Sequence, residues 1–219
     1  MKKEFNSFLS IYLIALFCFS IFFLNEKHIV GNDSTISEWL INYEGGFTKR
    51  GLIGQIAIYF AYFLKINLRD SILIMQILLV LTYFILLFNF FKNLKIDRLM
   101  MLSIFTPIFI LYPVAEIEVL ARKEVFLYIY FLCFLFLSNP NLDYQKYVNS
   151  YIFIITPIVC LIYEEVILFF PFLAATLVIQ RQIKKFSTFL RLCLLFFPSI
   201  LIVIYFFLFP LSIDGHELM

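Results

Sequence analysis

A chain of 219 residues that is 63% apolar, 20% aromatic and 15% charged, with a mean hydropathy of +0.97, is no water-soluble globule. Soluble domains carry about 25% charged and 45–50% apolar residues, and no core of this size hides 30 phenylalanines. A formal charge of +2 says nothing of nucleic acid and no basic run suggests such a partner; the class that fits is an integral membrane protein with membrane lipids around it.

The N-terminal "MKKEFNSFLSIYLIALFCFSIFFLNEK" begins like a signal peptide. Its apolar part, Phe8 to Leu24, is too long, and no small-x-small cleavage site follows. It reads as a retained first membrane helix with Lys2 and Lys3 inside the cell. The 25–50 outer loop comes next. Asp33 and Ser34 suit the start of a short helix, and Ile36, Trp39, Leu40 and Tyr43 recur on one side of it. That pattern predicts an amphipathic helix on the membrane surface with Trp39 at headgroup level.

"NYEGGFTKRG" follows. Gly45 and Gly46 free the backbone for a sharp turn that presents Glu44 on one side and Lys49–Arg50 on the other. A point cation, a guanidinium fork and a close backbone are what phosphate recognition uses. A plain turn with snorkelling cations is the competing reading.

Beyond it, 71–91 and 192–211 are long enough to cross a bilayer, while 51–64 and 125–138 are short and 99–115 is borderline. "EIEVLARKE" (116–124) repeats the mixed charge, with Arg122 and Lys123 as cations and Glu118 at helical pairing distance from Arg122. The run 151–180 is overlong for one span and carries Glu164 and Glu165 at its middle. A carboxylate in hydrocarbon costs about 2.5 kcal/mol or more, so the doublet needs a partner or water. One glutamate paired with Arg50 or Arg122 leaves its neighbour to hold a proton, which suits general acid or base work or proton coupling. A structural ion pair is the competing reading.

Cys18, Cys133, Cys160 and Cys193 sit in apolar runs without a CxxC spacing, and His28 and His216 are isolated. No metal site, disulfide or cofactor is expected.

Two topologies fit. If every apolar stretch crosses once, "EIEVLARKE" lies inside; if 51–64 stays at the interface and 151–180 is a hairpin, it lies outside with the glutamate doublet. Both place equal numbers of Lys and Arg in the cytoplasm, so the positive-inside rule does not choose. The second gathers most acidic residues on one face and lets them share a wet recess with the cations, and it is the topology adopted.

"NYEGGFTKRGLIG" and "ARKE" resemble a loose group of bacterial multi-pass envelope proteins similar to GT-C-type membrane glycosyltransferases and O-antigen polymerases. The resemblance implies a polyprenyl-phosphate-linked sugar as donor at the outer face of the cytoplasmic (inner) membrane. It implies Asp33, Glu38 or Glu44 as the base, and Lys49, Arg50, Arg122 and Lys123 on phosphate. The closely spaced acidic pair of that family's loop has no counterpart here. Family members are longer, so the chain reads as an N-terminal fragment, a short relative or half of a complex.

The expectation is therefore an all-α polytopic helical bundle with short, broken or re-entrant helices, forming one membrane domain over 1–219. Its expected function is a membrane glycosyltransferase or polysaccharide polymerase. The alternative is a non-enzymatic transporter, flippase or assembly subunit with an intramembrane carboxylate site.

Overall fold

The computed structural model describes residues 2–30, 34–92, 98–105, 119–139, 146–181 and 185–209. Among them the chain is all-α, with no strand. It divides into two compact units, one of Met1–Leu40 and Gln55–Leu132, the other of Ile41–Gly54 and Cys133–Met219.

The first unit is built on α1 (Lys2–Val30) and α4 (Leu68–Phe91). Both are long and apolar enough to cross a membrane. At 1.5 Å per residue, the 29 residues of α1 rise about 44 Å, beyond the roughly 30 Å of hydrocarbon. The two helices pack along each other, with Phe17 edge-on to Phe84 at 6.2 Å. Leu9, Leu13 and Leu24 of α1 and Val80, Tyr83 and Leu87 of α4 are buried. Phe8, Ile11, Ile14, Phe19 and Phe22 face outward and exposed. Such a surface on a membrane-length helix calls for an apolar solvent.

Short elements complete this unit. Helix α2 (Ser34–Leu40) follows α1, α3 (Gly51–Leu64) belongs to this unit from Gln55 on and precedes α4, and α5 (Arg98–Phe105) sets Phe105 among Phe5, Phe8 and Tyr12. The hydroxyl of Ser71 donates to the carbonyl of Ala57 at 2.9 Å, tying α4 to α3. His28 Nε2 lies 2.9 Å from Asp70 Oδ1, joining the end of α1 to the start of α4. A carboxylate in the first turn and a histidine in the last suit both helix dipoles.

The expectation for Trp39 is overturned. Its side chain is fully buried, its indole N–H donates to the Ala121 carbonyl at 3.0 Å, and its ring lies 5.9 Å from Phe126. An amphipathic stripe is equally suited to an interface or an interior. Here a protein carbonyl satisfies the indole and the helix turns its apolar side inward.

Helix α6 (Val125–Ser138) spans the expected 125–138 run and leads into the second unit. There α7 (Val148–Ile162) is followed by a 3-10 segment (Glu164–Phe169), α8 (Phe170–Gln180), α9 (Phe186–Leu194) and α10 (Phe197–Leu208). Helix α7 packs along α10. The expected break in 151–180 falls at Tyr163, whose extended backbone closes α7. Pro171 lies in the first turn of α8; it has no N–H to continue a helix from upstream and its ring would clash with the carbonyl four residues back.

The 192–211 run is not one straight helix. Helices α9 and α10 are bent 53° apart, with Pro198 in the first turn of α10. Among the described residues, two helices are long and apolar enough to cross a membrane, or three if the bent pair is one span. With 14, 14 and 15 residues, α3, α6 and α7 rise only about 21–23 Å each. The 99–115 run is described only as far as Phe105.

Trp39→Phe keeps a ring but leaves the buried Ala121 carbonyl without its indole donor. It is expected to lower stability by about 1–3 kcal/mol, read as an earlier thermal unfolding midpoint in detergent; an unchanged midpoint would contradict the interior role of Trp39.

Candidate functional site

The site lies in the second unit, where a tight turn meets the break between α7 and α8. The turn is set locally. Asn42 Oδ1 accepts the backbone N–H of Glu44 at 2.7 Å, and the N–H of Gly46 donates to the Tyr43 carbonyl at 3.1 Å. Gly46 has φ 126°, which a side chain would strain. Phe47 then packs on Tyr205 and Phe206 of α10 at 5.5 and 5.3 Å. Arg50 adopts φ 61°, a left-handed conformation unusual outside glycine. A Cβ on Gly51 would run into the Tyr43 ring, so only glycine lets α3 start at this point without displacing that ring.

These constraints aim Arg50 at the glutamate doublet. Its Nε donates to Glu164 Oε2 at 2.9 Å and Oε1 at 3.2 Å, and its Nη2 donates to Glu165 Oε1 at 3.1 Å. The guanidinium carbon lies 4.6 Å from the Tyr163 ring centre, so the fork rests on an aromatic face. Lys49 Nζ stands 3.8 Å from Glu164 Oε1.

Exposure separates the roles. The Glu164 and Arg50 side chains are 16% and 21% exposed, whereas Glu165 and Lys49 are 50% and 62% exposed. An inner pair is fixed, and a carboxylate and an ammonium at its rim remain accessible. Burial pushes the Glu164 carboxyl up. Its hydrogen bonds from Arg50 and a backbone N–H, with the charges of Arg50 and Lys49, overcome this and hold it below the ordinary carboxylate range. Glu164 is therefore ionised at neutral pH.

The sequence leaves Arg50 and Arg122 open as partners for one glutamate, with the other unpaired. Successive residues of a 3-10 segment diverge by about 120°, yet one planar fork reaches both carboxylates.

Arg122 is held within the first unit. Its Nε donates to Glu38 Oε2 at 3.3 Å, and its Nη2 contacts Glu38 Oε1 and, at 3.3 Å, Glu124 Oε1. Glu38, a candidate base, thus serves as an ion-pair partner. Lys123, a candidate phosphate contact, is fully buried. Glu44 is exposed on the turn and Gly45 is half-buried beside it. Asp33, Glu116, Glu118 and the terminal "DGHE" lie outside the described residues. The structure thus brings together Lys49, Arg50, Glu164 and Glu165, with Glu44, Gly45 and Gly46 in the same turn.

Tyr163 and Asn42 were not singled out in the sequence. An Asx residue two positions before Glu44 and an aromatic beside the doublet were the available signals. No group of three or more metal-ligating side chains occurs among the described residues.

Comparison with known proteins gives no match to a family model, a curated protein or a solved structure. The class defined so far is a protein that is all-helical among the described residues, with two or three helices there long and apolar enough to cross a membrane.

Because the Glu164 value is depressed in the folded state, its stabilisation is complete above the ordinary carboxylate range and is lost as pH falls through the folded value. Acid unfolding of the wild type is expected to show this limb. Glu164→Gln is expected to be less stable at neutral pH by about 1–3 kcal/mol and flatter in acid; identical acid limbs in the two proteins would contradict the pairing.

Proposed function

We propose that the protein transfers or polymerises sugars from a polyprenyl-phosphate-linked donor at the outer face of the bacterial cytoplasmic membrane, as a multi-pass helical protein with its N-terminus inside. The observation that carries this reading is an accessible carboxylate, Glu165, and an accessible ammonium, Lys49, both in contact with one half-buried arginine–glutamate pair. Glu165 is suited to take the proton from an acceptor hydroxyl as its oxygen attacks the anomeric carbon. The bond from that carbon to the carrier phosphate breaks, and Lys49 stabilises the charge left on the phosphate. Arg50 holds both groups in place rather than meeting the phosphate itself. Glu44, exposed on the same turn, is the second candidate base.

One observation favours the alternative of a transporter, flippase or assembly subunit. The two cations face two carboxylates, so the cluster is neutral as it stands, and an ion or proton exchanging at Glu165 would suit it.

The enzymatic reading expects Glu165→Gln and Lys49→Ala, at normal membrane levels, to reduce surface glycan or its chain length by about 100-fold in rate. Unchanged glycan in both would sink it. Loss of proton-coupled uptake in Glu165→Gln with normal glycan selects the alternative.

A further inference from the structure

Helix α9 has the second unit's most two-sided character. Phe186, Phe189, Leu190 and Leu194 are all exposed, and Leu192 alone is buried. At 100° per residue the exposed apolar side chains gather on one arc, while Ser187, Thr188 and Arg191 share the opposite one. A fully immersed membrane helix would leave that polar strip in hydrocarbon; a helix in water would leave the four large apolar groups wet.

The charge is as one-sided as the hydropathy. The sequence from 181 to 191 holds Arg181, Lys184, Lys185 and Arg191 and no acidic residue. Arg181, Lys185 and Arg191 are exposed. Lys185 sits at the N-cap of α9, where its carbonyl accepts the N–H groups of Thr188 and Phe189 at 3.1 and 3.2 Å. A cation at that end opposes the helix dipole unless an anion neutralises it.

The elbow after α9 directs it away from α10. The buried Phe196 stacks on Phe170 of α8 at 4.7 Å, pinning the corner, and the axis changes by 53°.

We propose that α9 is not the first half of a membrane span but an in-plane helix that docks on anionic phospholipid headgroups. Phe186, Phe189, Leu190 and Leu194 enter the upper acyl region, and Arg181, Lys185 and Arg191 engage the lipid phosphates. This docking is independent of the catalytic reading of the Arg50 cluster.

The test uses the full chain in nanodiscs of phosphatidylcholine alone or in equal mixture with phosphatidylglycerol. A nitroxide is placed at Phe189→Cys after replacing Cys18, Cys133, Cys160 and Cys193 by serine. Collision rates with oxygen and a water-soluble nickel chelate are expected to place the label just below the headgroups. A label at mid-bilayer depth, or one shielded from both reagents by protein, overturns the proposal. With native cysteines, retained phosphatidylglycerol is measured for wild type and for R181Q/K185Q/R191Q. The triple variant is expected to retain at least about tenfold less; equal retention overturns the proposal, whether or not the labelled background assembles.

Discussion

The second unit turns on one guanidinium. Arg50 reaches Glu164 and Glu165, residues more than a hundred positions further along the chain, and lies over the Tyr163 ring. A carboxylate taken largely out of water, as Glu164 is, persists as an anion only with a partner of good geometry, and the fork supplies three hydrogen bonds to the two glutamates. The backbone is bent to suit: Arg50 has φ 61°, Gly46 has φ 126°, and Gly51 leaves room for the Tyr43 ring. A left-handed non-glycine residue costs of order 1–3 kcal/mol, so the ion pair and the turn stabilise one another. The same geometry leaves Glu165 and Lys49 at the rim, held but accessible.

The apolar environment decides where such chemistry can sit. Within the helices, hydroxyls donate to carbonyls four residues back, as in Ser20 to Leu16, Thr82 to Leu78 and Thr176 to Phe172, all at 2.8 Å. That is how a helix surrounded by apolar groups satisfies a polar side chain internally. Among the described residues, charged pairs stand at helix ends and breaks: His28 with Asp70 where α1 ends and α4 begins, Arg122 with Glu38 and Glu124 before α6, and Arg50 with the doublet between α7 and α8. Pro171, in the first turn of α8, has no N–H for the Ile167 carbonyl, which suits the change there from the 3-10 segment to α8.

What was legible in the sequence follows from what is local. Apolar run length delimits α3 and α6, Gly51 opens α3, and the central charges of 151–180 mark the break at Tyr163. The bend between α9 and α10 is absent from the sequence reading because that reading rests on apolar run length and passes over Pro198, which has no N–H for the carbonyl of Leu194 where α9 ends. Trp39 was placed at the surface because its stripe fits either side of a protein, and its partner carbonyl at Ala121 is distant in sequence. The doublet's need for a cation was plain from the cost of burying carboxylates. Its choice of Arg50 was not, since Arg122 has the same chemistry and is committed to Glu38 and Glu124 only by tertiary contact. The sharing of one fork between both glutamates also depends on the 3-10 backbone at that point.

Charge reversal tests the central interaction most directly. Arg50→Glu sets a third carboxylate against Glu164 and Glu165, and the account predicts a marked fall in the detergent melting temperature. Adding Glu164→Arg restores a cation between two carboxylates and is predicted to recover more than half of that fall. An Arg50→Glu protein as stable as wild type, or a double variant no better than the single one, would contradict the account.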